Sequence, residues 1–472
     1  MPTFSRKSFF RLFAFFFVIV TPFLVIYSLG YNINLAERRL SNTLSVQVET
    51  FPIAASIFNN DTRLASLTPT DIRTTDDRIL NLGLKKDDYI DERFLVWGQR
   101  DKNTAARIAN LWLLPKSGDI ITTDNFLLGR ANLTIIDSMV IWREGLNFQS
   151  RDYTITGFQE APKSIVNLTS LKAEYNDLSF QSIGPEAYFD KKNKLVLIKS
   201  QSNWQILDLT QDSITSDDGE SGNPNKTNLV MQAARNSQDQ LLLLNQTGEL
   251  WLLDTISYKW TFLEGDVDGL DYSESLNSIW IWQKAKIFRL IPGNYENLNL
   301  DNFVFGTNLD LINKDCGEIC NMEVQNSFQG IVFQIGSKVW LVSDYNNNSW
   351  RMIASNVVTT SSKSDTLFWL DSDNQLNSWN FIFGRQYILG SLSDSNINTR
   401  LFYDPSWRRL LIYQDNKVSS VWYDSTQANN EILQFSFQTW IQNSACLPLI
   451  TERLQFCLEK GNIVVYRSNN LI

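Results

Sequence analysis

One short unit returns along most of the chain: a hydrophobic strand, a polar turn, and a second strand that often carries tryptophan. A faint copy is "MVIWREGLNF" at Met139, followed by "KLVLIKSQSNWQILDL" at Lys194 and "LLLLNQTGELWLLDTISYKW" at Leu241. "SIWIWQKAKIFRLI" begins at Ser278, "GIVFQIGSKVWLVSDYNNNSW" at Gly330 and "TLFWLDSDNQLNSWNF" at Thr366. "LLIYQDNKVSSVWYD" starts at Leu410, and "LQFCLEKGNIVVYR" at Leu454 is the last. Between equivalent hydrophobic positions, Val140 to Gln455, these eight copies are spaced 45 residues apart on average. Neither strand can bury the turn between them, which is why the turns are polar.

A period of about 40–45 residues with several short strands per unit is the pattern of a β-propeller blade. The stretches "YFDKKNKLVLI" and "YDPSWRRLLIY" suit the turn that leads into a blade's second strand. No Gly-His…Trp-Asp signature occurs, and no long helical periodicity follows Tyr31. The expected fold class is therefore mainly β, with a seven- or eight-bladed propeller over residues 106–472 and eight blades favoured. The terminal unit supplies only three strands before Ile472, so a fourth must come from elsewhere or leave a sheet edge unpaired. "ANLWLL" (Ala109 to Leu114) is the expected donor, ahead of "RFLVW", with Leu111 and Leu113 on one face and Trp112 and Leu114 on the other.

The N-terminus reads differently. No charged residue appears from Leu12 to Ala36, and "LFAFFFVIVTPFLVIYSLGY" covers positions 12–31. As a helix rising about 1.5 Å per residue, it matches the roughly 30 Å hydrocarbon core of a bilayer. Arg6, Lys7 and Arg11 precede it, which predicts a cytoplasmic N-terminus and an extracytoplasmic body. The alternative is a cleaved signal peptide ending near Ser28-Leu29-Gly30, although the apolar run exceeds a normal signal core. The expected organisation is a stub (1–11), a transmembrane helix (12–31), a linker (32–43), a small β-domain (44–98) and the propeller.

The small domain opens on "LSVQVET", where Leu44, Val46 and Val48 alternate as on a half-buried strand. Pro52 interrupts it, Ile57 and Phe58 resume it, and Asn59-Asn60 suits a tight turn. "LTPTDI" repeats the strand–proline theme, and "ILNLGL" and "RFLVW" follow around Tyr89. This order resembles the PEGA domain, a small β-sandwich of prokaryotic surface and envelope proteins whose hallmark is Pro-x-Gly-Ala. Pro52 and Ala55 match that hallmark, with Ile53 and Ala54 in place of its two middle residues. Asn59-Asn60 takes its turn, Thr68-Pro69 its Thr-Pro, and Tyr89 follows Asp88 where glycine is usual. The resemblance spans Leu44 to Trp97 and implies a spacer or adhesion module.

Composition narrows the chemistry. The net charge is −9, and with Arg6, Lys7 and Arg11 removed from the 42 cations, 39 face 51 acids. Nucleic acid is therefore not an expected partner, because phosphates need clustered Lys and Arg. The chain contains no histidine, which removes the commonest general base and metal ligand. Four cysteines occur, Cys316, Cys320, Cys446 and Cys457, and an even number outside the cytoplasm favours disulfides. A two-residue turn in "CLPLITERLQFC" would place Cys446 opposite Cys457, while Cys316 and Cys320 would close a very short loop. A four-cysteine zinc site is the weaker reading, since no C-x₂-C is present. "GDVDGLD" (Gly265 to Asp271) has acids spaced as in some calcium loops, but lacks the complete pattern and reads better as an inner strand. "TSDDGESGNPNKTN" (Thr215 to Asn228) is a polar insertion.

The expected function is a non-catalytic, membrane-anchored envelope protein without cofactors, its propeller offering a binding or scaffolding face to an envelope protein or glycan. The alternative is a carbohydrate-active propeller lyase or hydrolase using carboxylates, Tyr or Arg. Its mark would be acids, Arg and Tyr converging at one end of the channel with raised carboxyl pKa values.

Overall fold

A computed structural model describes residues 6–28, 31–34, 39–42, 44–74, 79–97, 106–121, 131–136, 138–154, 157–158, 161–171, 175, 178–210, 230–237, 239–283, 286–290, 304–305, 322–327, 329–343, 350–363, 365–392, 399–404, 408–414, 417–423, 432–434, 437–442, 444–451 and 454–467. Helix α1 runs Arg6–Ser28. It begins inside the expected stub and ends before Tyr31, which starts a short hairpin of Tyr31–Asn34 with Arg39–Asn42. Its phenylalanines at 13, 15, 16, 17 and 23 are exposed. Among the described residues no helix is long and apolar enough to cross a membrane. In α1 the longest unbroken run of described side chains is Phe13–Val25; those of Leu12 and Ile26, within the expected span, lie outside the description.

Two sheets follow, packed face to face. In one, Leu44–Phe51 lies between Thr70–Thr74, antiparallel to it, and Ala106–Trp112, parallel to it. The other runs Ile432–Gln434, Glu92–Trp97, Ile79–Lys85, Ser56–Asn59, Thr62–Leu67. Strand alternation sends Val46 and Val48 from the first sheet, and Leu80, Leu82 and Leu84 from the second, into one core. Ile108, Leu111 and Leu113 join that core, so Ala106–Trp112 belongs to the sandwich and not to the propeller. The boundary expected at residues 98 to 106 moves accordingly.

The remaining sheets form a ring of eight blades among the described residues. Blade 1 spans 131–167, blade 2 181–208, blade 3 230–264, blade 4 267–305, blade 5 322–354, blade 6 357–391, blade 7 400–442 and blade 8 445–467. Their cores prove the closure. Each cluster of buried apolar side chains lies between two neighbouring blades, from blades 1 and 2 around to blades 8 and 1. The strand Ser278–Gln283 shows why its sequence reads "SIWIWQ". Ile279 and Ile281 enter the core shared with blade 3, while Trp280 and Trp282 enter the core shared with blade 5. Both faces are buried, and each such side chain removed from water is worth about 1.5–3 kcal/mol.

Two joints depart from simple repetition. Lys163–Asn167 is antiparallel to the third strand of blade 1 and parallel to Asn203–Asp208 of blade 2, fusing the outer edges of these blades. The fourth strand of blade 8 is Asp119–Ile120, paired with Val465 and Val464. The expectation that Leu111, Trp112, Leu113 and Leu114 would close the ring is thus corrected. Leu111 and Leu113 are committed to the sandwich, and Leu114 packs into the core between blades 7 and 8 without being the closing strand. Trp112 stacks on Phe51, with ring centroids 4.0 Å apart.

Candidate functional site

The first strand of each blade lines the centre of the ring, and alternation decides what faces it. In Met322–Ser327, Met322 and Val324 go into the core between blades 4 and 5, which turns Glu323 and Gln325 the other way. In Val267–Ser273, Val267 and Leu270 go into the core between blades 3 and 4, and Asp271 turns away from it. The Asp271 carboxylate accepts the backbone N–H of Val324 at 2.8 Å, joining blades 4 and 5. Gln325 donates to Glu323 Oε1 at 2.5 Å and to Thr360 Oγ1 at 3.2 Å, carrying the network to blade 6.

From blade 7, Arg400 donates to Ser179 Oγ at 3.1 Å; burial disfavours its charge, and Glu323 and Asp190 oppose that effect. Asp190 in turn accepts the Ser179 N–H at 2.8 Å. Ser179 precedes Gln181–Gly184, the innermost strand of blade 2, which touches the first strands of blades 3 and 4. A contact between blades 2 and 7 crosses the middle of the ring. The chain's own segment therefore occupies the centre, and the polar groups converge on it.

Burial pushes the Asp271 carboxyl up to about 8, and the neighbouring Glu323 carboxylate adds to the effect; N–H groups of Val324 and Tyr272 oppose it. Glu323 is raised by burial too, opposed by Gln325, Arg400 and Thr360. Both side chains are enclosed by protein yet retain partial exposure towards the centre. The arrangement can hold a proton at neutral pH beside a guanidinium. Among the described residues no group of three His, Cys, Asp or Glu is arranged to hold a metal ion. None of Asp271, Glu323 and Arg400 stands out in the sequence; Asp271 lies in "GDVDGLD", where an inner-strand reading was the only pointer to the channel.

The residues singled out in the sandwich cluster around one loop. Thr68 Oγ1 accepts the Ala55 N–H at 2.9 Å and meets Thr50 Oγ1 at 2.5 Å, and the Ala54 N–H reaches Thr68 O at 2.8 Å. Ala54 has φ 64°, a left-handed conformation in which glycine is favoured. Peptide bonds preceding Pro52 and Pro69 are cis. Asn60 and Asp61 have φ 46° and 65° at the tight turn after Asn59. Pro52, Ala54 and the buried Tyr89 border a groove of about 670 Å³.

The sandwich is also keyed into blade 7. Arg409, fully buried, donates to Glu92 Oε1 at 2.6 Å and to the carbonyl of Trp112 at 2.6 Å. Gln438 bonds Glu92 Oε2 at 3.1 Å, and Trp440 Nε1 donates to the Pro115 carbonyl at 3.0 Å. Trp422 inserts into the sandwich core against Phe94. Ile432–Gln434 extends the sandwich sheet beside Glu92–Trp97.

Cys446 and Cys457 are opposite one another in blade 8 and form a disulfide. Cys316 and Cys320, and the polar insertion 215–228, lie outside the described residues. Arg11 is exposed on α1, and the side chains of Arg6 and Lys7 are outside the description.

No protein-family model matches the chain, and neither does any curated protein. Solved structures similar to it include the computationally designed Ika8 protein, at 9% identity and a TM-score of 0.38, covering 75% of this chain and 97% of that one. AztD from Citrobacter koseri is 12% identical with a TM-score of 0.36, over 81% and 95% of the two chains. BamB from Moraxella catarrhalis is 8% identical with a TM-score of 0.37, over 74% and 99%. At these scores the propeller assignment rests on the sheets and inter-blade cores themselves.

Proposed function

We propose that this chain is a membrane-anchored, extracytoplasmic envelope or surface protein whose propeller is a non-catalytic binding or scaffolding platform for an envelope protein or glycan. The observation that carries this reading is the buried joint between sandwich and blade 7, centred on Arg409 and Glu92. A spacer tied that firmly to the ring passes the orientation of whatever holds its N-terminal end on to the whole platform. On this reading α1 is the anchor. Its 23 residues extend roughly 35 Å at 1.5 Å each, and exposed apolar side chains surround it along Phe13–Val25. The cations Arg6, Lys7 and Arg11 at its start support, through the positive-inside rule, an N-terminus on the cytoplasmic side. On this reading the sandwich is a PEGA-like module, with Ala54, whose φ is 64°, standing where the hallmark has glycine.

The converging Asp271, Glu323 and Arg400 favour the second reading, a carbohydrate-active enzyme. Against it, Ser179 already engages Arg400, and the strand Gln181–Gly184 lies against the first strands of blades 3 and 4, including the strand of Asp271.

A fusion of alkaline phosphatase after Ile472, expressed in a bacterial host, tests the proposal. The enzyme folds only outside the cytoplasm, so activity in membrane fractions is expected. An inactive fusion, with an active cytoplasmic reporter at the same position, would overturn the anchor and the location together.

A further inference from the structure

The groove beside the sandwich loop is a second feature with the makings of a site, remote in chemistry from the ring's centre. Its volume, about 670 Å³, falls within the range of small-ligand sites. The walls are fixed before any ligand arrives. Thr68 holds the loop at Ala54 and Ala55, Lys86 Nζ donates to the Ile53 carbonyl at 2.7 Å, and the Lys116 N–H reaches the Asp88 carbonyl at 2.8 Å. Rigid walls spare a ligand the cost of ordering them.

Donors and acceptors both line the rim. Lys85 is paired with Asp91 at 2.9 Å and sits 5.4 Å from the centre of the half-buried Phe58 ring. Arg63, Lys116, Asp87 and Asp88 line the same groove, and none of these four side chains has a partner among the described residues. A phosphate or uronate would meet three carboxylates here, and a cationic ligand would meet four cations. A neutral polyol can use both kinds, since carboxylates accept its hydroxyl protons and ammonium or guanidinium groups donate to its oxygens. An aromatic ring beside such groups offers a face to a sugar ring's C–H side.

We infer that this groove binds a short stretch of neutral glycan, two or three sugar units long. The inference deepens the platform reading and rests on it only for access to glycan outside the cytoplasm, which the phosphatase fusion tests separately. Binding itself is measured on purified protein, so the two can fail independently.

The test uses full-length protein in an amine-oxide detergent, which carries no sugar headgroup to compete. Maltotriose, cellotriose, mannotriose and chitotriose are titrated by calorimetry, with inorganic phosphate and trialanine as comparison ligands. At least one trisaccharide should bind, with affinity changing less than about twofold between about 50 and 500 mM NaCl, because no charge is neutralised. Arg63→Ala and Asp87→Ala, both at exposed positions, should each weaken binding about tenfold through a lost charge-assisted hydrogen bond. Asp254→Ala on blade 3 should leave it unchanged. Failure of all four sugars to bind would overturn the inference. So would binding indifferent to both groove variants, or displacement of the sugar by phosphate, which would mark an anion site instead.

Discussion

Asp271 carries the clearest consequence of the ring at the scale of a single residue. Its carboxyl moves from an ordinary 3.8 to about 8 because burial and Glu323 both disfavour its charge. The folded protein therefore keeps a proton that the unfolded chain releases near 3.8. Stability from that proton is complete below pH 3.8 and is lost as pH rises to about 8. Glu323 is shifted in the same direction and adds the same sign. The urea midpoint of the wild type should accordingly fall between pH 5 and pH 8. Asp271→Asn keeps an uncharged side chain at every pH, so its midpoint should fall less across that range. Equal slopes for the two proteins would remove Asp271 from the account. Residue-scale legibility was uneven for a physical reason. Pro52, Ala54 and Thr68 are linked by local loop geometry, which a short motif can express. Asp271, Glu323 and Arg400 meet only because strands from blades 4, 5 and 7 point to one axis, and no spacing along the chain encodes that.

Among the elements, those buried on both faces were the most readable. Strands such as Arg409–Gln414, sealed throughout, carry a continuous apolar run, here Leu410, Leu411, Ile412 and Tyr413, and such a run is legible without its neighbours. The closing strand offers no such signal. Asp119–Ile120 has two residues, both exposed, and contributes backbone pairing to the outer edge of blade 8. Residues 109–114 are the more apolar candidate donor, but Leu111 and Leu113 are buried in the sandwich core. The residue that permits closure is Gly118. A Cβ there would sit 2.4 Å from Val464 Cγ1 and 3.0 Å from the carbonyl oxygen of Val465, and that backbone is held by its own ladder. Gly118→Ala should therefore lower stability by about 1–3 kcal/mol, the usual range for overpacking. Gly145→Ala, with open space around its Cβ but a left-handed φ of 65°, provides a comparison for backbone strain alone. Denaturant melts of the two variants would separate the effects. A Gly118→Ala protein as stable as wild type would mean that Asp119–Ile120 does not hold the ring shut.

At the scale of the whole molecule, sandwich and ring share a core and should not melt independently. Trp422 belongs to blade 7 yet packs in the sandwich, and Ile432–Gln434 leaves blade 7 to extend the sandwich sheet. At the centre, Arg409 and Glu92 are both inaccessible to solvent. An enclosed ion pair gains little over an apolar pair of the same size, because removing both charges from water costs nearly as much as their attraction returns. Breaking it is another matter. Arg409→Met leaves Glu92 with the Gln438 amide but no cation, and removes the donor to the Trp112 carbonyl. A loss of about 3–5 kcal/mol is expected for a buried charge stranded in this way. Because that loss falls at the joint, the sandwich should unfold before the ring, so calorimetry should show two transitions in Arg409→Met where the wild type shows one. Adding Glu92→Gln removes the stranded charge and should recover much of the loss, although the Arg409 hydrogen bond to the Trp112 carbonyl stays lost. If Arg409→Met melts in one step at the wild-type temperature, the joint does not couple the two bodies. The ring would then hang from a flexible tether, and a fixed orientation relative to the membrane would have no structural basis.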